Sequence, residues 1–304
     1  MKRYILYTII SLLSSKPVFS QTDITINSHR IQSQLMNPAA LHEDVNDNSL
    51  EFNLLGQKQW YNMPGAPSSY VFDGYVYLIN YKTKMGLQII SDQIGYTYNR
   101  KISLQYAYNL NINEYDRLRM GLSAGLYSYS HDLSQISMDD MTDPAVRFLD
   151  DNKMSPFFNL GVEYASENLV GGITVRRLEC YFNKDKGSPT EYAYARYTSR
   201  DHYMYNLMVS TSAMHTSGIS AFDINSALLF KNSEDLETWW IGIGWRSTSE
   251  LMFDAGIRLA PRIAVNYNYA YNYGVIRKYS TGTHELSLTY SGSFSHFFCL
   301  NCRD

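Results

Sequence analysis

Along most of this chain apolar and polar side chains alternate residue by residue, in runs of about ten, the period of a β-strand and not of a helix. The clearest run is 262–273, RIAVNYNYAYNY. Ile263, Val265, Tyr267, Tyr269, Tyr271 and Tyr273 share one face, while Ala264, Asn266, Asn268, Ala270 and Asn272 share the other. Ile102, Leu104, Tyr106, Tyr108 and Leu110 stand in the same way against Ser103, Gln105, Ala107 and Asn109. Trp239, Ile241, Ile243 and Trp245 oppose Trp240, Gly242, Gly244 and Arg246, and Leu286 and Leu288 oppose Glu285 and Ser287. One face is large and apolar; the other is Gly, Ser, Asn and charge.

Such segments predict strands at 49–58, 70–79, 84–92, 100–110, 118–130, 156–166, 169–177, 202–211, 219–230, 238–246, 250–258, 262–272 and 283–290. The segment 190–198, TEYAYARYT, also alternates and completes an even set of about 14 strands, as expected of a single-chain transmembrane antiparallel β-barrel. The spacing between strands supports that all-β fold. The short links 80–83 and 167–168 fall on one side of the sheet, and the long ones, 131–155 and 178–189, on the other. Short periplasmic turns and long outer loops are the usual asymmetry of such barrels. The link Ser247–Ser249 is short on the long-loop side, against that trend.

A soluble sandwich would alternate too, so composition and the amino terminus decide between the two. Tyrosine occurs 27 times in 304 residues, and its ring suits a membrane interface. Mean hydropathy is −0.30 and no apolar run beyond the first residues could span a bilayer as a helix. Lys2 and Arg3, an apolar stretch over 4–13 and small residues ahead of Gln21 predict a signal peptide over 1–20. The expected domain order is then a periplasmic lead-in at 21–48, an outer-membrane barrel at 49–290, and a periplasmic tail at 291–304. A net charge of −3 offers no field for nucleic acid, which is not an expected partner; outer-membrane lipids are.

Little in the chain suggests chemistry. Asp139 and Asp140, with Asp143, His131 and Asp132 nearby, could activate water, but a solvated acidic loop or a weak calcium site explains them as well. The seven histidines show no metal-ligand spacing, and there is no phosphate-binding loop or G-x-S-x-G elbow. No catalytic residue, metal or cofactor is expected. Cys299 and Cys302 form a C-x-x-C pair best read as a local disulfide in an oxidising compartment. Candidate partner-binding residues are Asn37 and Pro38 in the lead-in, Gln59, Trp60, Gly65, Ala66 and Pro67 in the first outer loop, and Asp139 and Asp140. Both the Asn-Pro step and the Pro/Gly loop also read as ordinary turn signals.

The chain resembles the PorP/SprF outer-membrane proteins of the type IX secretion system of Bacteroidota. The resemblance rests on MNPAALHED, on QW followed by PGAP, on MGLSAGLYSYSHDLSQISMDDMTDP, on FFNLGVEYASENLVGGITV, on RIAVNYNYAYN, and on TGTHELSLTY near the end. It implies a non-enzymatic barrel that works with periplasmic ring proteins of that system, with a large secreted surface protein such as an adhesin, or with both. Two other readings stay open on the residues alone: a pore for small solutes, and a hydrolase built on the Asp139/Asp140 loop.

Overall fold

The computed structural model describes residues 24–40, 50–78, 82–132, 153–183, 187–200 and 202–292. The expected signal peptide over 1–20, Asp139, Asp140, Asp143, Cys299 and Cys302 lie outside the described residues. The strands are β1 (Leu50–Lys58), β2 (Ser68–Leu78), β3 (Thr83–Ile94), β4 (Thr97–Asn111), β5 (Arg117–His131), β6 (Lys153–Ala165) and β7 (Leu169–Arg176). They continue as β8 (Thr190–Ser199), β9 (Tyr205–Thr216), β10 (Ile219–Lys231), β11 (Glu237–Arg246), β12 (Glu250–Ala260), β13 (Ile263–Asn272) and β14 (Thr283–Gly292). Each pairs antiparallel with its neighbours in sequence, and β14 pairs with β1, so the sheet is closed. Closure leaves no strand edge unpaired, which is what a sheet in hydrocarbon requires.

All fourteen expected strands are present, 190–198 among them as β8. The largest boundary difference is in β9, which begins at Tyr205 and runs on to Thr216 before a two-residue turn at Ser217 and Gly218. Its last turnward residues, Ser212, Ala213, Met214 and His215, lack a large apolar residue on the outer face, so the hydrophobic rhythm fades before the hydrogen bonding does. The alternation maps onto the wall as expected. Tyr267, Leu286, Leu288, Ile241 and Leu104 are exposed on the outer face, while Asn266, Asn268, Glu285, Ser287 and Trp240 are buried inside. No helix among the described residues is long and apolar enough to cross a membrane.

Odd strands run from a proximal rim, where β1 begins and β14 ends, to a distal rim. The distal rim carries the short links at Gly95–Tyr96, Ser217–Gly218 and Ser247–Ser249 as well as the long ones after β5 and β7. Loop length alone therefore marks the rims less sharply than the spacing suggested.

The lead-in, expected as a periplasmic segment ahead of the barrel, has its residues 24–40 inside the lumen. Ile26, Asn27, Ser28, Gln34, Leu35, Met36, Asn37, Ala39 and Ala40 are all at most 3 % exposed. An extended arm, 24–28, leads into helix α1 (His29–Met36). The helix stops at Asn37, whose backbone is extended (φ −119, ψ 115), because the following Pro38 disfavours the helical conformation there. An Asx turn follows, with Ala39 N donating to Asn37 Oδ1 at 2.9 Å.

Candidate functional site

The lumen and the distal rim above it carry the polar chemistry of the molecule. Alternation sends every second side chain inward, and in this barrel those side chains meet the chain's own amino-terminal segment. Apolar residues supply part of the contact: Ile24, Ile26, Ile31, Leu35 and Met36 pack against Leu55 of β1, Val71 of β2, Ile90 of β3 and Tyr192 of β8. Burial of this kind stabilises by about 1.5–3 kcal/mol for each large aliphatic side chain.

The polar contacts are more specific. Glu285 of β14 accepts from the backbone N–H groups of Asn27 at 2.9 Å and Ser28 at 2.7 Å. Opposite it in register, Gln57 of β1 donates to Glu285 at 2.7 Å and to the carbonyl of Thr25 at 2.8 Å. Arg246, the last residue of β11, donates to the Ile26 carbonyl at 3.1 Å and to Asn27 Oδ1 at 2.7 Å. Its charge is balanced by Asp223 at 2.8 Å and Glu250 at 2.9 Å. Asn268 Nδ2 reaches the Asn27 carbonyl at 3.3 Å, and Asn266 Nδ2 reaches Ser28 Oγ at 3.0 Å.

Further along, Arg30 pairs with Glu237 at 2.8 Å and lies over the Trp240 ring. Tyr75 donates to the Gln34 carbonyl at 3.2 Å, and Gln88 and Arg176 donate to that of Leu35 at 3.1 and 3.2 Å. Lys84, near the proximal start of β3, donates to the Ala40 carbonyl at 2.7 Å. The segment therefore runs the height of the barrel, from Gln57, Glu285 and Arg246 near the distal rim to Lys84 near the proximal one. These buried polar groups of the wall find partners in the segment, as burial in a low-dielectric interior favours.

Asn37 and Pro38 are buried in this lumen and not presented on a surface. Asn37 Nδ2 donates to the Val162 carbonyl and to Tyr194 Oη, both at 3.2 Å. Tyr194 in turn donates to Glu163, which also pairs with Arg119. The wall is glycine where the segment comes closest: a methyl group at Gly161 would lie 1.9 Å from Asn37 Oδ1, and one at Gly121 2.3 Å from Ala39 N.

Gln59, Trp60, Gly65, Ala66 and Pro67 gather at the distal rim. Residues 59–67 join β1 to β2, and the loop is stitched to both neighbours. Tyr61 N donates to the Gly282 carbonyl at 2.7 Å, Thr281 N to the Tyr61 carbonyl at 3.0 Å, and Gly95 N to the Gly65 carbonyl at 2.9 Å. Gln59 N donates to the Pro67 carbonyl at 2.9 Å, and Lys58 Nζ to that of Ala66 at 3.1 Å. Trp60 is half-buried at the rim. Gly282 has φ +119, and a side chain there would collide with the Ala270 carbonyl at 2.7 Å. Gln59 also donates to Gln57 Oε1 at 2.8 Å, which connects the rim loop to the pair holding the arm. Asn37 and Pro38 contact β6 and β8 instead, so the structure does not bring all the expected residues together.

Sequence reasoning missed Gln57, Glu285, Arg246 and the luminal role of 24–40. Signals existed: the paired apolar residues Leu54–Leu55 and Ile89–Ile90 mark strands apolar on the inner face as well as the outer, and Ile31 and Leu35 stand one helical turn apart. Among the described residues no cluster of three or more His, Cys, Asp or Glu is placed to hold a metal.

Against known proteins, residues 18–290 match the family model described as type IX secretion system membrane protein PorP/SprF. No curated relative matches the chain. Among solved structures, a TodX deltaS2S3 mutant monoaromatic hydrocarbon channel has a TM-score of 0.50 at 8% identity, covering 86% of this chain and 94% of that one. The CymD monoaromatic hydrocarbon channel has a TM-score of 0.47 at 11% identity, with 90% and 95% covered. The Ralstonia pickettii toluene transporter TbuX has 0.48 at 8%, with 90% and 96% covered. The TodX likeness concerns the barrel fold alone.

Proposed function

The chain belongs to the PorP/SprF family of type IX secretion system membrane proteins, and from that premise we propose that it is a plugged barrel supporting export or surface anchoring of a partner protein, such as a large adhesin. It is an integral outer-membrane protein, and neither its family nor its fold is that of an enzyme class. The observation that carries the reading is the filled lumen. A solute channel needs a continuous water path, whereas here the inward side chains of β1, β2, β3, β7, β11, β13 and β14 are bonded to residues 24–40. Work through protein contacts fits such a barrel better than conduction does.

In this reading the distal rim faces outward, and the stitched loop 59–67 presents Gln59, Trp60, Gly65, Ala66 and Pro67 to the partner. Asp139 and Asp140 stand in the sequence between β5 and β6, outside the described residues. Secretion components in the periplasm meet the proximal rim and the tail. A tagged copy isolated from native outer membranes in mild detergent should bring down one large surface protein or periplasmic ring components. Deleting the gene should remove particular proteins from the cell surface. An isolated barrel with no partner and an unchanged surface proteome would refute the proposal.

A further inference from the structure

The arm 24–28 is held chiefly through its backbone. Thr25 and Ile26 offer carbonyls, Asn27 both its N–H and carbonyl, and Ser28 its N–H; Gln57, Arg246, Glu285 and Asn268 take them. Backbone groups are the same in any polypeptide. Side chains add less: Asn27 Oδ1 accepts from Arg246 and Ser28 Oγ from Asn266, while Ile24 and Ile26, two apart on an extended chain, join the apolar cluster of Leu55, Val71, Ile90 and Tyr192. The turn at 37–40 is different, because Asn37 and the glycine wall fit each other by shape.

We infer that the distal lumen is a receptor for an extended polypeptide segment with aliphatic residues at alternate positions, occupied in this state by the chain's own arm. Its second occupant is an extended segment of the partner protein, entering from the distal rim beside loop 59–67, which displaces 24–28 while the turn at 37–40 stays seated. This inference rests on the partner-binding reading above. Main-chain capture by fixed side chains supplies affinity, and the alternate aliphatic seats supply selectivity, as in other modes of extended-peptide recognition. The cradle lies beside the rim loop: Gln59 donates to Gln57, and Gln57 to Glu285.

The test uses the full chain with Ile26→Ser and Asn27→Pro, which removes an aliphatic anchor, the Asn27 N–H that Glu285 accepts and the Asn27 side chain that Arg246 holds, and so vacates the seat, and a fluorescein-labelled peptide of residues 22–30. Barrel folding is checked by heat-modifiable electrophoretic mobility, and binding by fluorescence anisotropy in detergent. The vacated variant should bind the peptide and the wild type should not. Adding Glu285→Gln should weaken binding about tenfold or more, since a charge-assisted bond to two backbone donors is lost. A peptide of unrelated sequence with isoleucine at the same two places should bind comparably; one with proline at the Asn27 position should not.

A folded, vacated variant that binds no peptide overturns the inference, as does binding indifferent to Glu285 or confined to the native sequence. Should the double variant fail to fold, a protease site within 41–49 of the otherwise native chain, cut after folding, serves instead. Labelled peptide 22–40 then either exchanges into the barrel or, by failing to do so, refutes the receptor. Surface proteins lost on gene deletion while peptide binding fails would overturn the receptor alone.

Discussion

Each side chain of the wall has one of two solvents, and substitutions should separate them. Tyr267 sits midway along β13 on the outer face, so Tyr267→Arg should cost about 2–4 kcal/mol in equilibrium unfolding from lipid vesicles. A neighbouring inward residue in a water-filled barrel would tolerate the same change. Asn268 does not have that freedom, because it is fully buried between Asn27 and Asp254. Asn268→Arg should therefore cost about 1–3 kcal/mol through overpacking, in the same assay. Arg246 is the more severe case. Arg246→Met strands the buried carboxylate of Asp223 and should lose about 3–5 kcal/mol, while adding Asp223→Leu should recover part of that loss.

Among elements, the amino-terminal segment is the one whose behaviour departs from the rest. Strands are held by ladder bonds to two neighbours, but 24–40 is held by side chains and shape. Its seat is testable through glycine. Gly161→Ala should unseat the turn at Asn37, read as faster proteolysis of the segment with the barrel still heat-modifiable. Gly171→Ala is the control: its methyl group would come no nearer than 3.5 Å to the Tyr194 carbonyl, and the segment should stay protected. Equal proteolysis in the two variants would mean that the close approach at Gly161 does not hold the segment.

For the whole molecule, the consequence of the plug is electrical. The native chain in a planar bilayer should conduct little, and a chain lacking 24–40 should form open channels of stepwise conductance. High conductance of the native protein would favour the pore reading over partner binding. The same experiment tests whether the wall keeps its shape when Glu285, Arg246 and Lys84 lose their backbone partners to water.

The fourteen strands, their faces and the membrane setting were legible along the chain because each follows from a local rule. Period two sets the face, turn residues end the strand, and an even count with short links gives a closed up-and-down barrel. Family membership was legible too, since its motifs are contiguous stretches. What fills the lumen was not. Residues 24–40 show little periodicity of their own, and their partners Gln57, Lys84, Gln88, Arg176, Arg246 and Glu285 are scattered over most of the sequence. An inward Glu or Arg reads the same whether it faces water or a peptide backbone. Only closure of the barrel brings those side chains around one axis, and only there do the unpaired N–H and C=O groups of an extended arm become the partners that their burial requires.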